Sequence, residues 1–120
     1  MKKRIWLLLM FPVFVFAQPH AVIFVDTAME GHSLLIENLN QMLFYSPTLQ
    51  SQLQVDIYDI NPRAPAFRGG VHYHHDIEGQ MLSRFRPTQL PYLICLNGEV
   101  ESLRLPLINK EKLCLCLKSC

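Results

Sequence analysis

Four cysteines, Cys95, Cys114, Cys116 and Cys120, and the run His72-Tyr73-His74-His75-Asp76 carry the chemistry that this 120-residue chain could perform. Thiols exchange disulfides when a thiolate is exposed, and otherwise act as small hydrophobes or close structural bridges. The even count allows three full pairings, and no two of the four cysteines form a Cys-x-x-Cys pair. In an extended chain His72, His74 and Asp76 project to one side. Together with His75, and with His20 as a distant addition, they make an incomplete site for Zn²⁺ or Cu²⁺. A solvated His-rich loop is the plainer reading of the same run. The sequence holds no nucleophile elbow, phosphate loop or helical His-Glu-x-x-His, so hydrolase and nucleotide-dependent chemistry have no residues to carry them. No cofactor is expected.

The chain begins Met1-Lys2-Lys3-Arg4, continues through an apolar run at residues 5–16 broken by Pro12, and reaches the small Ala17. Basic, apolar and small residues in that order predict a signal peptide over residues 1–17 with cleavage after Ala17. The run is short for a membrane span and has no basic stop beyond it, so no stable span is expected after cleavage. Without a cysteine near the cleavage point, a lipoprotein is not expected. The remaining residues 18–120 form one domain in an oxidising compartment, read as a bacterial periplasm. Loss of Lys2, Lys3 and Arg4 leaves eight basic against ten acidic residues, which disfavours nucleic acid as a partner.

The elements that must position these residues follow from hydrophobic period. Residues 21–25 are continuously apolar, as in a strand buried on both faces. Ser33 is placed to cap a helix to about Tyr45, with Leu35, Leu39, Met42 and Leu43 on its inner side. Ser46-Pro47 ends or restarts it. Residues 55–60 read as a second strand. Residues 61–75 contain Pro62, Pro65, Gly69, Gly70 and three histidines, which predicts a long loop and makes that loop a functional candidate. Asp76 is a candidate N-cap for a short helix that turns Ile77, Met81, Leu82 and Phe85 inward. Residues 92–96 and 100–105 read as a hairpin turning at Asn97-Gly98, and Pro91 is confined to the start of its strand, with a cis Leu90–Pro91 bond in prospect. Asn109 is placed to cap a last α-helix to Ser119, and helical geometry over residues 109–120 would set Leu113, Cys116, Leu117 and Cys120 inward with Cys114 at the margin. Cys114 and Cys116 would then point about 200° apart and could not bond to each other. A bridge between Cys95 and Cys116 is favoured on that geometry, and a redox role for the Cys114/Cys116 tail stays open beside it.

A proline opening an apolar strand, a Gly-containing turn, a second strand and a closing helix resemble the C-terminal half of the thioredoxin-like fold. The resemblance extends over roughly residues 21–120 and implies an α/β domain with a four-stranded mixed sheet flanked by helices, in the order βαβαββα. It also implies that the proline loop lies beside the start of the first helix. Thioredoxin-like oxidoreductases carry Cys-x-x-Cys at that junction; here the corresponding positions in Asp26-Thr27-Ala28-Met29-Glu30-Gly31-His32-Ser33 are Met29 and His32. Neither can exchange disulfides. The expected site is therefore a binding edge of Met29, His32, Leu90, Pro91 and Tyr92. Thr27-Ala28-Met29 resembles the junction of accessory and pilus-assembly proteins of conjugative (type IV) secretion systems, which implies an envelope or secretion-system protein as partner. A disulfide oxidoreductase using the tail thiols and a periplasmic metal-binding protein are the alternatives from other classes.

Overall fold

In β1 (Pro19–Val25) the last five residues, Ala21 to Val25, are buried without a break. A strand loses both faces to the core only when it has neighbours on each side and layers above and below. The computed structural model, which describes residues 18–64 and 68–117, gives β1 that central place. The expected leader, its cleavage point and Cys120 lie outside the described residues. β2 (Gln54–Asp59) pairs with β1 in parallel and β4 (Tyr92–Asn97) pairs with it antiparallel. β3 (His72–His75) continues the sheet beyond β2 in parallel, and β5 (Val100–Pro106) closes the other edge against β4. The order is β3-β2-β1-β4-β5.

The sheet is thus five-stranded and mixed, one strand more than expected. The additional strand comes from the end of the stretch read as loop. His72 to His75 alternates exposed and half-buried side chains and pairs with only one neighbour, so nothing in its composition announces burial. The crossover that delivers it runs over α1 (His32–Phe44), where Val71 N–H donates to Asn40 Oδ1 at 3.2 Å. A Cβ on Gly70 would stand 2.7 Å from Leu43 Cβ, so that approach requires glycine.

α1 starts one residue before Ser33, after Gly31 in the left-handed region (φ 88°), and no side chain caps it. Ser46 does cap: its Oγ accepts from Leu49 N–H, and α2 (Pro47–Gln52) restarts there with proline in the first turn. Asp76 caps at a distance. A 3₁₀ turn (Ile77–Gly79) intervenes, and the carboxylate accepts from Met81 and Leu82 N–H, both at 2.9 Å, at the head of α3 (Gln80–Phe85).

The hairpin is present with its turn one residue later than expected. Asn97 pairs with Val100, leaving Gly98-Glu99 as the loop, and Gly98 alone takes positive φ (65°). Glycine first in a two-residue turn satisfies the hairpin twist without asparagine in the loop. The closing element differs more. Lys110–Cys116 is a 3₁₀ helix, not an α-helix, and buries only Leu113 among its residues. Leu113, Leu115 and Leu117 alternate rather than follow a helical stripe, and no side chain caps the start. At three residues per turn Leu113 and Cys116 still fall on one side.

The sheet separates two apolar layers. Ile23, Val25, Val55, Ile57 and Cys95 face α1, α2 and the 3₁₀ helix. Val22, Phe24, Tyr92, Ile94 and Leu96 face the smaller cover of Met81, Leu82 and Phe85.

Candidate functional site

Phe24 pairs with Tyr92 in the β1–β4 register, so Pro91 and the loop at residues 26–31 emerge side by side at one end of the sheet. The Leu90–Pro91 bond is cis. The loop is held by its own backbone: Met29 N–H donates to Asp26 O at 2.8 Å and Ala28 N–H to Asp26 Oδ1 at 3.0 Å. Asp26 N–H donates to His32 Nδ1 at 3.0 Å, which assigns the ring proton to Nε2. Burial lowers the His32 pKa against the opposing pull of the Asp26 and Asp59 carboxylates, so the ring is neutral at pH 7.

Asp59 ties this loop to two strands. It is fully buried and accepts from Thr27 N–H (3.1 Å), Thr27 Oγ1 (2.6 Å), Asn61 N–H (2.9 Å) and the Tyr73 hydroxyl. Thr27 Oγ1 accepts in turn from Asn61 Nδ2 at 3.1 Å. Burial alone would raise the Asp59 pKa, but the bonds from Thr27, Tyr73 and Asn61 outweigh it and hold the group below the usual carboxylate range. Burial and then the same carboxylate raise the Tyr73 phenol well above its ordinary value. Sequence reasoning missed this centre. Its signal was the position of Asp59 in phase with Val55 and Ile57, on the inward side of β2.

The expected edge is brought together unevenly. Met29 is 48% exposed, and Leu90 and Pro91 are partly exposed. His32 and Tyr92 are buried, at 6% and 5%. Tyr92 packs with Phe24 and Ile94, and the Arg104 guanidinium lies 5.9 Å from its ring centre. Two residues that sequence reasoning passed over extend the exposed apolar surface. Leu34 and Ile108 line a groove of about 290 Å³ with Gly31, Asn38 and Lys110. It continues from the edge, since Leu107 N–H donates to Pro91 O at 3.0 Å and places Ile108 beside the proline loop.

Cys95 and Cys116 form a disulfide, as favoured, and join β4 to the closing 3₁₀ helix. Cys114 is also disulfide-bonded, and among the described residues no cysteine is free. With Cys116 bonded to Cys95, Cys114 and Cys116 are not partners of each other.

The histidine run divides by strand alternation. His72 and His74 turn to the sheet face opposite α1 and approach Asp56, with Oδ1 at 3.6 Å from His72 Nδ1 and 2.7 Å from His74 Nε2. His20, from β1, bonds Asp56 Oδ2, as does Gln54 Nε2 at 2.9 Å. His75 points away and donates from Nε2 to Ala64 O at 2.7 Å, while Asp76 is occupied as a helix cap. The expected set of His72, His74, His75 and Asp76 is therefore not one cluster; the carboxylate that meets His72 and His74 is Asp56. Burial would raise the Asp56 pKa, but hydrogen bonds from His20, His74 and Gln54 hold it well below the usual range. Among the described residues no group of three or more His, Cys, Asp or Glu side chains could hold a metal ion. None of the described helices is long and apolar enough to cross a membrane.

No family model matches the sequence, and no curated protein matches it significantly. Solved structures do match. StoA from Bacillus subtilis superposes with a TM-score of 0.63 at 10% identity, covering 85% of this chain and 84% of its own. A secreted Mycobacterium tuberculosis disulfide oxidoreductase homologous to E. coli DsbE gives 0.58 at 11% identity, covering 82% and 79%. The germline-specific thioredoxin Deadhead from Drosophila melanogaster gives 0.56 at 10% identity, covering 81% and 75%. At these identities the likeness is one of fold, and with β1 central between a parallel and an antiparallel neighbour the chain has a thioredoxin-like fold.

Proposed function

We propose that the protein is exported to the bacterial envelope and works there by binding an extended segment of another envelope protein, without dithiol chemistry of its own. The observation that carries this reading is at the entry to α1. The two positions that would hold the thiols of an oxidoreductase are Met29, half-exposed, and His32, whose ring is committed to the loop backbone. The cysteines that do occur among the described residues are in disulfides. Export is supported by the order of residues in 1–17 and by the oxidised thiols.

The edge offers Met29, Leu90 and Pro91, and the neighbouring groove is mixed, with Leu34 and Ile108 exposed among Asn38, Asn109, Lys110 and Glu111. A flexible thioether suits contact with varied side chains, and an extended partner segment suits a shallow groove beside a strand end. Assignment to a conjugative secretion system is the narrower form of this proposal and rests on the Thr27-Ala28-Met29 resemblance.

The test joins two measurements on protein recovered from the envelope, where the chain should begin at Gln18. Insulin reduction should not exceed the uncatalysed rate. A photo-crosslinker at Leu34 should trap one partner that Met29→Asp abolishes, while the same group at Thr48 on α2 traps none. Dithiol-dependent turnover that disappears in Cys114→Ser or Cys116→Ser, with Met29→Asp harmless, would transfer the function to the tail thiols.

A further inference from the structure

We propose that the end of the domain formed by Gln18 and the turn between α1 and α2 is a membrane-surface contact, with Phe44 and Tyr45 set among the headgroups of a phospholipid bilayer. It lies at the start of β1, the opposite end of the sheet from Pro91 and the loop at residues 26–31, and does not depend on the binding function proposed above.

Between Glu37 and Asp56 the chain has no acidic, basic or histidine residue. That stretch holds the second half of α1, all of α2 and the turn between them, where Phe44 and Tyr45 are 70% and 79% exposed. Their rings meet edge to face with centroids 5.1 Å apart, so they form one aromatic projection rather than two scattered side chains. Aromatic rings, and tyrosine with its polar tip above all, settle at the level of lipid headgroups. The exposed amides and hydroxyls around them, Gln41, Thr48 and Ser51, can enter that layer without the cost of stripping water from a charge.

The route of the chain selects a bilayer as the occupant. Gln18 Nε2 donates to Ser51 O at 2.9 Å, His20 pairs with Gln54 in the β1–β2 register, and Gln18, Gln50, Gly70 and His72 line one groove of about 210 Å³. Residues 1–17, basic and then apolar, therefore join the domain beside α2. A leader is removed at the membrane surface, so this is the end of the domain that meets the bilayer during export. The crossover brings a cation to the same corner. A Cβ on Gly69 would stand 2.7 Å from Asn40 Oδ1 and one on Gly70 2.7 Å from Leu43 Cβ, which carries the exposed Arg68 to the last turns of α1, where a guanidinium suits a lipid phosphate. Residues 18–120 carry eight basic against ten acidic residues, so the chain has no general attraction to anionic lipid and burial of the two rings must supply most of the binding. Seated in this way, the domain presents the groove beside Pro91 away from the bilayer.

Co-sedimentation of the protein recovered from the envelope with vesicles of phosphatidylethanolamine and phosphatidylglycerol, at low and high salt, tests the contact. A saturable bound fraction that high salt reduces only in part is expected, because salt screens charges and not the burial of rings. The Phe44→Ser, Tyr45→Ser double variant should lower that fraction at least about fivefold, and its melting temperature should stay that of the wild type because both side chains are at the surface. Met29→Asp should lose partner capture and keep vesicle binding, so the two surfaces fail separately. Protein that stays in the supernatant, binding abolished by salt, or a double variant that binds as the wild type does would overturn the proposal. Sedimentation velocity without vesicles covers the rival occupant: a dimer that the double variant dissociates would give the corner to a second copy of this chain and overturn the membrane contact.

Discussion

A carboxylate with no exposure is tolerated only when donors replace the water it has lost, and Asp59 has replaced it with a hydroxyl, a phenol and two backbone N–H groups. Charged acceptors of this kind stabilise more than neutral ones, and removing the charge leaves several donors poorly matched. Asp59→Asn should therefore cost about 2–4 kcal/mol at pH 7, because the amide has one acceptor oxygen where the carboxylate has two. The folded-state pKa of Asp59 lies below the unfolded value of about 3.9, so its contribution is fully present at neutral pH and is lost as pH falls through and below about 4. Asp56, also depressed, acts in the same direction. Urea unfolding of the wild type and Asp59→Asn at pH 7 and pH 3 should show the gap between them narrowing in acid; a gap independent of pH would remove Asp59 from the acid-sensitive groups. Asp59 was legible only as an oddity, an acid on the apolar side of a strand. Its partners Thr27, Asn61 and Tyr73 come from three separate segments, and no local pattern could have assembled them.

Among the elements, the closing 3₁₀ helix depends most on a covalent tie. It has seven residues, buries Leu113 alone and lacks a side-chain cap, so the Cys95–Cys116 bond is a main tie to the sheet beside Leu113, with Cys116 and Leu117 packed against the core and Cys114 also in a disulfide. Cys95→Ala, Cys116→Ala should lose about 2–5 kcal/mol, the range for removing a native disulfide from a small secreted domain. Denaturant midpoints of the wild type, the double variant and the reduced wild type give the comparison. A double variant as stable as the oxidised protein would mean that packing of Leu113 and Leu107 suffices. The bridge was readable because a buried strand cysteine and an inward tail cysteine satisfy either helical geometry. The helix type was not, since Leu113, Leu115 and Leu117 fit neither period well. β3 escaped detection for a related reason: a four-residue edge strand of His-Tyr-His-His has no apolar face, and its partner is set by the crossover on α1 rather than by its own residues. The cis-proline strand, the hairpin and the α2 restart at Ser46-Pro47 were legible because each depends on local backbone rules.

On the scale of the molecule, the two faces of the sheet are unequally covered, and this fixes where the fold should open first. The α1 face buries Ile36, Leu39, Leu43, Ile57, Leu93 and Leu107 completely and carries the disulfide. The opposite face has Phe24 and Ile94 under a helix of six residues, none of them fully buried, which is entered through a left-handed glycine and left through Arg86 at φ 51°. Local opening follows sparse burial, so α3 should unfold on its own while α1 exchanges only with the whole domain. Native-state hydrogen exchange should give the amides of residues 80–85 the lower opening free energy and those of residues 35–43 the global value. Leu39→Ala should cost about 2–5 kcal/mol and lower protection everywhere, because it opens a cavity in the continuous core. Phe85→Ala should cost less than Leu39→Ala and lower protection chiefly around α3, its ring being only half-buried against Phe24. Equal protection of α1 and α3 would show that the sheet transmits stability across itself and that the thin face is no weaker than the thick one.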